Sequence, residues 1–520
     1  MRHLLAAGLL AGLAALLLGC TGHIPPAQDS HSACQRTAQC DDWQRYEPAL
    51  QAFLRGSMAN AGSAQHPQAD PHQAYLKLKA RYLTDPQFAC RQPLSHRYLQ
   101  SLWQLPPSAD PCLGPVPFRV KGLTSMENVR WVDPQRVQAV QLLFMGESQQ
   151  PFSRFGHVAL RLVVCAPERV RVGPECAEDV FDHIVLSFAA GIADPTLSLW
   201  KGLTGGYAIG LFATDFHDVY QQYTIDEFRS LSALPIVLDD RQKDFLVRAL
   251  SEVHWHYSND YRFFSHNCAS ELQWALNSST QAFAVDAQPL LPTPRVRPDR
   301  LFADAQRQPR FQAAVLDNLK TAEAGGYYFP SAEPYYQHAY TLLAERLAGP
   351  EMRAIDGPEG WLAAGSAFRA EQLQLLTQPS MGSPRSALDA YLVLETWAVR
   401  KMQRALVNAL LVEHGEALLK RMQQHGETHS APALSCMQAL LMPASQQTSE
   451  TGIPEATSAL LAPRCAASQQ DLAPGWTTLI APLLRDDPSF ARYQQGLAEI
   501  QAALRNIEIA QHTRNARPKE

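Results

Sequence analysis

The sequence predicts an α+β fold in which a block of short strands lies between two helical stretches. Three observations carry this expectation. From about Phe118 to Leu238 the apolar residues come in short runs rich in branched and aromatic side chains, as strands require. On either side they recur near helical spacing. Two proline clusters, Pro106, Pro107, Pro111, Pro115 and Pro117, then Pro289, Pro292, Pro294 and Pro298, separate the three parts and are too dense for a regular element. At 520 residues the chain also exceeds what one core usually organises.

The chain opens on Met1-Arg2-His3, and the run Leu4 to Leu18 is wholly Leu, Ala and Gly. That is the build of a signal-peptide core, not of a domain helix. Leu17-Leu18-Gly19-Cys20 has the pattern of a bacterial lipobox, in which the small Gly19 lets the lipoprotein signal peptidase reach the bond before a lipidated cysteine. Residues 1–19 are therefore expected to be a signal peptide and Cys20 the lipidated start of the mature protein. Several acyl chains on one cysteine anchor firmly, at about 0.8 kcal/mol per buried methylene. Thr21 after the cysteine, in place of Asp, resembles Gram-negative lipoproteins of the outer membrane, so the folded part is expected to face the periplasm. Beyond the signal no uninterrupted apolar run reaches about 18 residues, which argues against a second crossing. The net charge of -5 and the scattered basic residues leave no footprint for nucleic acid.

Residues 20–40 read as a polar tether and 41–115 as a helical segment, with Tyr75, Leu76, Leu78 and Tyr82 near helical spacing. The α+β domain is expected over 116–286. Its strands are Val137 to Met145, Gly156 to Val164, Val180 to Phe188 and Leu234 to Leu238, followed by an amphipathic helix from Arg241 to Val253. A Pro-rich linker spans 287–301. Residues 302–520 read as a mainly helical domain, clearest from Leu388 to Met422, where helix formers run without proline and with one glycine, Gly415. Met442 to Pro463 reads as a loop closed at its ends by Cys436 and Cys465. No fixed repeat, no glycine-rich phosphate loop and no other cofactor motif is present.

Ten cysteines less the lipidated Cys20 leave nine, an odd number for an oxidising compartment. Eight fall into sequence-local pairs: Cys34 with Cys40, Cys90 with Cys112, Cys165 with Cys176, and Cys436 with Cys465. Cys268 has no neighbour. A lone cysteine of an exported protein is either a buried apolar thiol or a reactive one, and its local setting decides.

Two segments hold the residues that could carry chemistry. In Ser153-Arg154-Phe155-Gly156-His157-Val158-Ala159-Leu160-Arg161-Leu162, period-two alternation puts Val158, Leu160 and Leu162 on one face and His157, Ala159 and Arg161 on the other. In Tyr261-Arg262-Phe263-Phe264-Ser265-His266-Asn267-Cys268-Ala269-Ser270-Glu271-Leu272, Asn267 is a good N-cap and Cys268 falls in the first helical turn. The stripe Ala269, Leu272 and Ala275 or Leu276 is then the buried face. Unpaired amides and the positive end of the helix dipole favour thiolate there, and a nearby imidazolium would lower the thiol further, into the range of about 3.5 to 7.5 of activated cysteines.

Phe155-Gly156-His157-Val158-Ala159-Leu160-Arg161, Leu186-Ser187-Phe188-Ala189, Trp200-Lys201-Gly202-Leu203 and Phe264-Ser265-His266-Asn267-Cys268-Ala269-Ser270 together resemble, in order and separation, the motif series of the Lnb N-terminal periplasmic domain family. The resemblance covers about Gln138 to Asn277. It implies a circularly permuted papain-like domain in which His157 and Cys268 form the functional dyad. Ser187 stands where the family has an asparagine-like residue on the middle strand, and Asp182 and His183 are further candidates for a third group that orients the imidazole. The founding acyltransferase of the family continues into membrane-spanning segments, whereas this chain continues into soluble helices.

The reaction implied is thiol-mediated acyl transfer or hydrolysis, with His157 as base, Cys268 as nucleophile and backbone amides at the helix start as oxyanion donors. Envelope lipids, lipoproteins or peptidoglycan peptides are the expected substrates, with no cofactor. Arg154, Lys201 and Asn267 are candidate substrate contacts. His254, His256 and His266 are conceivable zinc ligands, but their spacing fits no familiar motif and no metal is expected. The competing class is a non-catalytic envelope scaffold that keeps the fold and uses its helical domain to hold a protein partner.

Overall fold

A computed structural model describes residues 71–102, 112–121, 129–147, 154–191, 207–257, 259–262, 266–283, 288–347, 349–378, 385–424 and 490–516. Cys20 with its signal peptide and tether, the pairs Cys34–Cys40 and Cys436–Cys465, Lys201 and the loop Met442 to Pro463 lie outside the described residues.

Among the described residues three helices come first, α1 (Pro71–Thr84), α2 (Phe88–Arg91) and α3 (Pro93–Leu102). Ten strands follow: β1 (Val116–Phe118), β2 (Val120–Lys121), β3 (Arg130–Val132), β4 (Val137–Met145), β5 (His157–Val164), β6 (Ile184–Gly191), β7 (Tyr207–Asp215), β8 (Leu231–Pro235), β9 (Asn259–Tyr261) and β10 (Tyr328–Phe329). Between β7 and β8 run α4 (Phe216–Tyr220) and a π-helical turn, Gln221–Asp226. Helix α5 (Asp240–His256) leads through β9 to α6 (Cys268–Phe283). Among the described residues that follow, the regular elements are β10 and the helices α7 (Pro298–Arg307), α8 (Leu319–Ala324), α9 (Glu333–Leu347), α10 (Pro350–Arg353), α11 (Gly357–Ala363), α12 (Gly365–Thr377), α13 (Arg385–Gln424) and α14 (Ala491–Asn515).

The fold is α+β. Its main sheet has the order β10-β8-β4-β5-β6-β7-β2, with β9 added on β7, and the β4, β5, β6, β7 and β8 pairings are antiparallel. Both faces are covered. Val158, Leu160 and Leu162 of β5 enter the larger core with Leu246, Leu250 and Val253 of α5 and Ala269, Leu272, Ala275 and Leu276 of α6. Each fully buried leucine contributes about 1.5–3 kcal/mol. Ala159 of β5 points the other way, into a cluster with Phe216 and Val219 of α4 and Leu231 of β8. The alternation read from the sequence thus decides which helix each side of β5 meets.

Several elements begin and end where the sequence places them. Helix α5 starts at Asp239, whose carboxylate accepts from the Gln242 amide while the Gln242 side chain accepts from the Asp239 amide. The strand expected from Val180 begins only at Ile184, because Val180 to His183 are occupied in a turn. That turn follows the Cys165–Cys176 disulfide, and the His183 ring is held by the Cys176 carbonyl at 2.8 Å. The expected strand Leu234 to Leu238 is displaced to Leu231–Pro235. Strand β7 was not anticipated, since Gly210 interrupts its apolar pattern, yet Ile209, Leu211 and Ala213 are buried on one face.

The Pro-rich stretch before α7 packs against α6. Gln273 donates to the Leu291 and Thr293 carbonyls, Asn277 donates to the Leu291 carbonyl, and Leu290 and Leu291 join the core. Strand β10, from the segment expected to be helical, completes the sheet beside β8. In the helical region a fully buried pair, Arg369 with Glu395 at 2.6 Å, is closed by Asn506 of α14, which donates to Glu395 at 3.1 Å. Of the expected disulfides, Cys90–Cys112 and Cys165–Cys176 are formed, and Cys268 is free.

Candidate functional site

The approach to β5 turns at Gly156, whose φ of +77° and crowded surroundings exclude a side chain. A Cβ there would lie 2.5 Å from the Phe144 ring and 2.6 Å from the Met145 carbonyl oxygen. His157 follows at once. Along the first residues of β5 the paired neighbour is β4, with Met145 opposite His157, whereas β6 joins over Leu160 to Leu162, opposite Ile184 to Leu186. The other edge of β5 is therefore available at this end to the first turn of α6.

Asn267 caps α6 as expected. Its side-chain oxygen accepts from the Ala269 amide at 3.0 Å and the Ser270 amide at 3.3 Å, and its own amide donates to Ser270 Oγ at 2.9 Å. Cys268 then opens the helix, half-buried, and the backbone amides of Val158, Ala269 and Cys268 itself favour its thiolate. The fold thus brings the thiol to the backbone of the residue directly after His157, from a segment more than a hundred positions away.

Electrostatics differ from the expectation. Burial pushes the Cys268 thiol up to about 11, and the three backbone amides offset this only in part. Burial, with the nearby Arg229 guanidinium, pushes the His157 imidazole down to about 4. Burial thus favours the neutral thiol and the neutral imidazole, the reverse of the thiolate and imidazolium that the helix start suggested. At Cys268 desolvation outweighs the neighbouring amides, and at His157 it acts in the same direction as the Arg229 charge.

The candidate third groups separate. His183 accepts from Arg161 and is engaged by the Cys176 carbonyl, so both ring nitrogens are committed away from His157. The Asp182 carboxyl is raised by burial and feels Arg130, whose guanidinium donates to the Asp182 carbonyl. Ser187 is half-buried on β6, one residue beyond the last rung shared with β5. Its alternation puts it on the face of Val185, the one Ala159 shares. Arg154 is exposed before β5. Asn267 spends its side-chain amide on the Val296 carbonyl at 2.8 Å, a structural tie to the Pro-rich stretch.

The three histidines considered for zinc are each held by different partners. His254 lies between the Leu211 carbonyl and the Arg119 amide, His256 meets Gln92, and His266 pairs with Glu271 at 2.9 Å. No group of metal-ligating side chains gathers among the described residues.

Sequence reasoning missed the second wall of the site. Tyr223, in the π-helical turn, lies with its ring 7° from parallel to the His157 ring at a centroid separation of 6.4 Å. Arg229 stands 4.7 Å from the centre of that ring and donates to the Met145 and Gly146 carbonyls, so it ties the turn to the end of β4 that pairs His157. Nothing in Gln-Gln-Tyr-Thr-Ile-Asp announces this role. Glu271, one helical turn after Cys268, also went unnoticed; it is buried and takes hydrogen bonds from Tyr257 and His266.

Residues 127–297 match the Lnb N-terminal periplasmic domain family. The match contains β3 to β9, α5 and α6, and with them His157, Tyr223 and Cys268. No curated protein and no solved structure matches the chain. The Lnb N-terminal domain is a periplasmic one, and no described helix is long and apolar enough to cross a membrane.

Proposed function

We propose that this protein is a thiol-dependent acyltransferase or hydrolase of the cell envelope, anchored to the outer membrane by a lipid on Cys20, with a permuted papain-like domain facing the periplasm. The observation that carries the reading is Cys268 at the start of α6, packed against the core that holds Val158, the residue next to His157, inside the matched domain. As an ester or amide carbonyl approaches, the thiol proton passes to the His157 imidazole and the sulfur attacks the carbonyl carbon. The tetrahedral oxyanion is held by amides at the helix start. Collapse expels the alcohol or amine, which takes the proton from His157, and leaves an acyl thioester on Cys268. Water or an acceptor amine then gives up a proton to His157 and releases the acyl group. Lipid or lipoprotein acyl groups are the favoured substrates, then peptidoglycan peptides, with Arg154, Lys201 and Asn267 as candidate contacts and Ser187 as the candidate third group. The helical region is the candidate surface for a protein partner.

The test is acylation by p-nitrophenyl octanoate, read as p-nitrophenolate release and as one octanoyl group on Cys268 by intact mass. Cys268→Ser abolishes the thioester, and His157→Ala slows its formation by about 100-fold or more. One observation favours the non-catalytic scaffold: the resting thiol and imidazole are both neutral. Absence of labelling by both this ester and a peptide thioester would establish that second reading.

A further inference from the structure

We infer that helix α13 clamps the π-helical turn Gln221–Asp226 so that Tyr223 positions the His157 imidazole, which makes the C-terminal helical region part of the working site. This rests on the reading that His157 activates Cys268.

The turn is an unusual piece of backbone. Its i→i+5 pattern includes the Glu227 amide donating to the Gln222 carbonyl at 2.9 Å, and single π turns inside helical segments recur at functional sites. Two residues after it stands Phe228 with φ of +54°, the one non-glycine residue in the left-handed region among those described. Such backbone persists where its surroundings over-determine it. Here the surroundings are α13. Trp397 donates through Nε1 to the Ile225 carbonyl at 3.0 Å, and its indole stacks on Phe228 with centroids 5.1 Å apart and planes 9° from parallel. Lys401 donates to the Asp226 carbonyl at 3.0 Å. The buried Asp226 carboxylate pairs with Arg404 at 2.9 Å and Arg400 at 3.6 Å. Every one of these four side chains comes from α13, and together they engage Ile225 and Asp226 of the turn and Phe228 beyond its exit.

At the other end of the same turn Tyr223 faces the site. Its ring is nearly parallel to His157, and Arg229 is fixed beside it by Glu227 at 2.9 Å and by the Met145 and Gly146 carbonyls. His157 lies at a strand start where β6 has not yet joined, so the sheet restrains the ring on the β4 side. A flat, anchored neighbour supplies the restraint that the missing strand would have given. Tyr223 is therefore a positioning residue, acting through His157, and α13 sets where it stands.

The experiment uses the full-length chain and the p-nitrophenyl octanoate acylation rate. Tyr223→Ala is expected to slow Cys268 acylation by about tenfold, the cost of a base that is present but misaligned. Tyr223→Phe, which keeps the ring, should stay within about twofold of wild type. The decisive readout is the double variant: if Tyr223 works through imidazole, Tyr223→Ala combined with His157→Ala is no slower than His157→Ala alone, whereas independent effects would multiply. Arg400→Ala with Arg404→Ala, which releases Asp226 from α13, should slow acylation in the same direction with the melting temperature shifted by only a few degrees. Acylation that depends on His157 but is unchanged by Tyr223→Ala overturns the positioning role and leaves the dyad standing. Multiplying losses in the double variant overturn it as well. A Tyr223 effect without an Arg400/Arg404 effect removes α13 from the assignment. Acylation indifferent to His157 overturns the dyad itself, and the positioning role with it.

Discussion

Titrating Cys268 by iodoacetamide alkylation separates the two forces that compete for its proton. Burial raises the thiol from 9.0 to about 11, on the order of 3 kcal/mol against the charged form. At pH 7 about one molecule in ten thousand then carries thiolate, against about one in a hundred for an unperturbed thiol. His157, lowered to about 4, is neutral across the whole titration and supplies no cation. The sign of the His157→Ala effect follows. Removing the ring admits water, which solvates the thiolate, so the midpoint should fall from about 11 toward 9. A thiolate held by imidazolium would do the reverse, since losing the cation raises the midpoint. The assay is the alkylation rate against pH, with the site of modification confirmed by peptide mass. A wild-type midpoint below 9 that rises in His157→Ala would refute the burial argument and restore the activated thiolate expected from the helix start alone.

Gly156→Ala should destabilise the fold by about 1–3 kcal/mol and depress acylation, because φ of +77° is strained for alanine and the new methyl meets Phe144; thermal melting measures the first effect. Glu252 is a carboxyl raised by burial from 4.5 to about 7, so its contribution is fully present below pH 4.5 and is lost, by about 3 kcal/mol, as pH rises through 7. Glu252→Gln should flatten that part of the stability profile in melts between pH 4 and 8. Cys20→Ala should release the chain from membranes on fractionation; retention of the mature-length protein there would defeat the lipid-anchor proposal.

What was legible in the sequence depended on how local its cause was. The Asn267 cap and the stripe Ala269, Leu272, Ala275 and Leu276 are i, i+3 and i+4 relations, and the structure reproduces them. The faces of β5 follow from alternation and also stand. The pairs Cys90–Cys112 and Cys165–Cys176 close short loops and were readable as neighbours. The charge state of Cys268 was not readable, because the desolvation that dominates it comes from sheet and helix packing around the thiol. Tyr223 was hidden for a similar reason: its place beside His157 comes from a π turn fixed by Trp397, Arg400, Lys401 and Arg404, well over a hundred residues later.

The contribution of the residues after α7 to the sheet bears on any attempt to excise its central part. The Gln312 amide donates to the Pro235 carbonyl, the Ala233 amide donates to the Tyr327 carbonyl, and Phe311 bridges Ile236, so this stretch caps the outer side of β8. The Gly326 carbonyl also accepts from the fully buried Arg161 at 2.8 Å. A fragment cut to residues 127–297 would uncover a row of amides and carbonyls ready to recruit strands from neighbouring copies, and would leave a buried guanidinium short of an acceptor. Such a fragment is an aggregation hazard; extending it through Phe329 keeps the β8 edge closed.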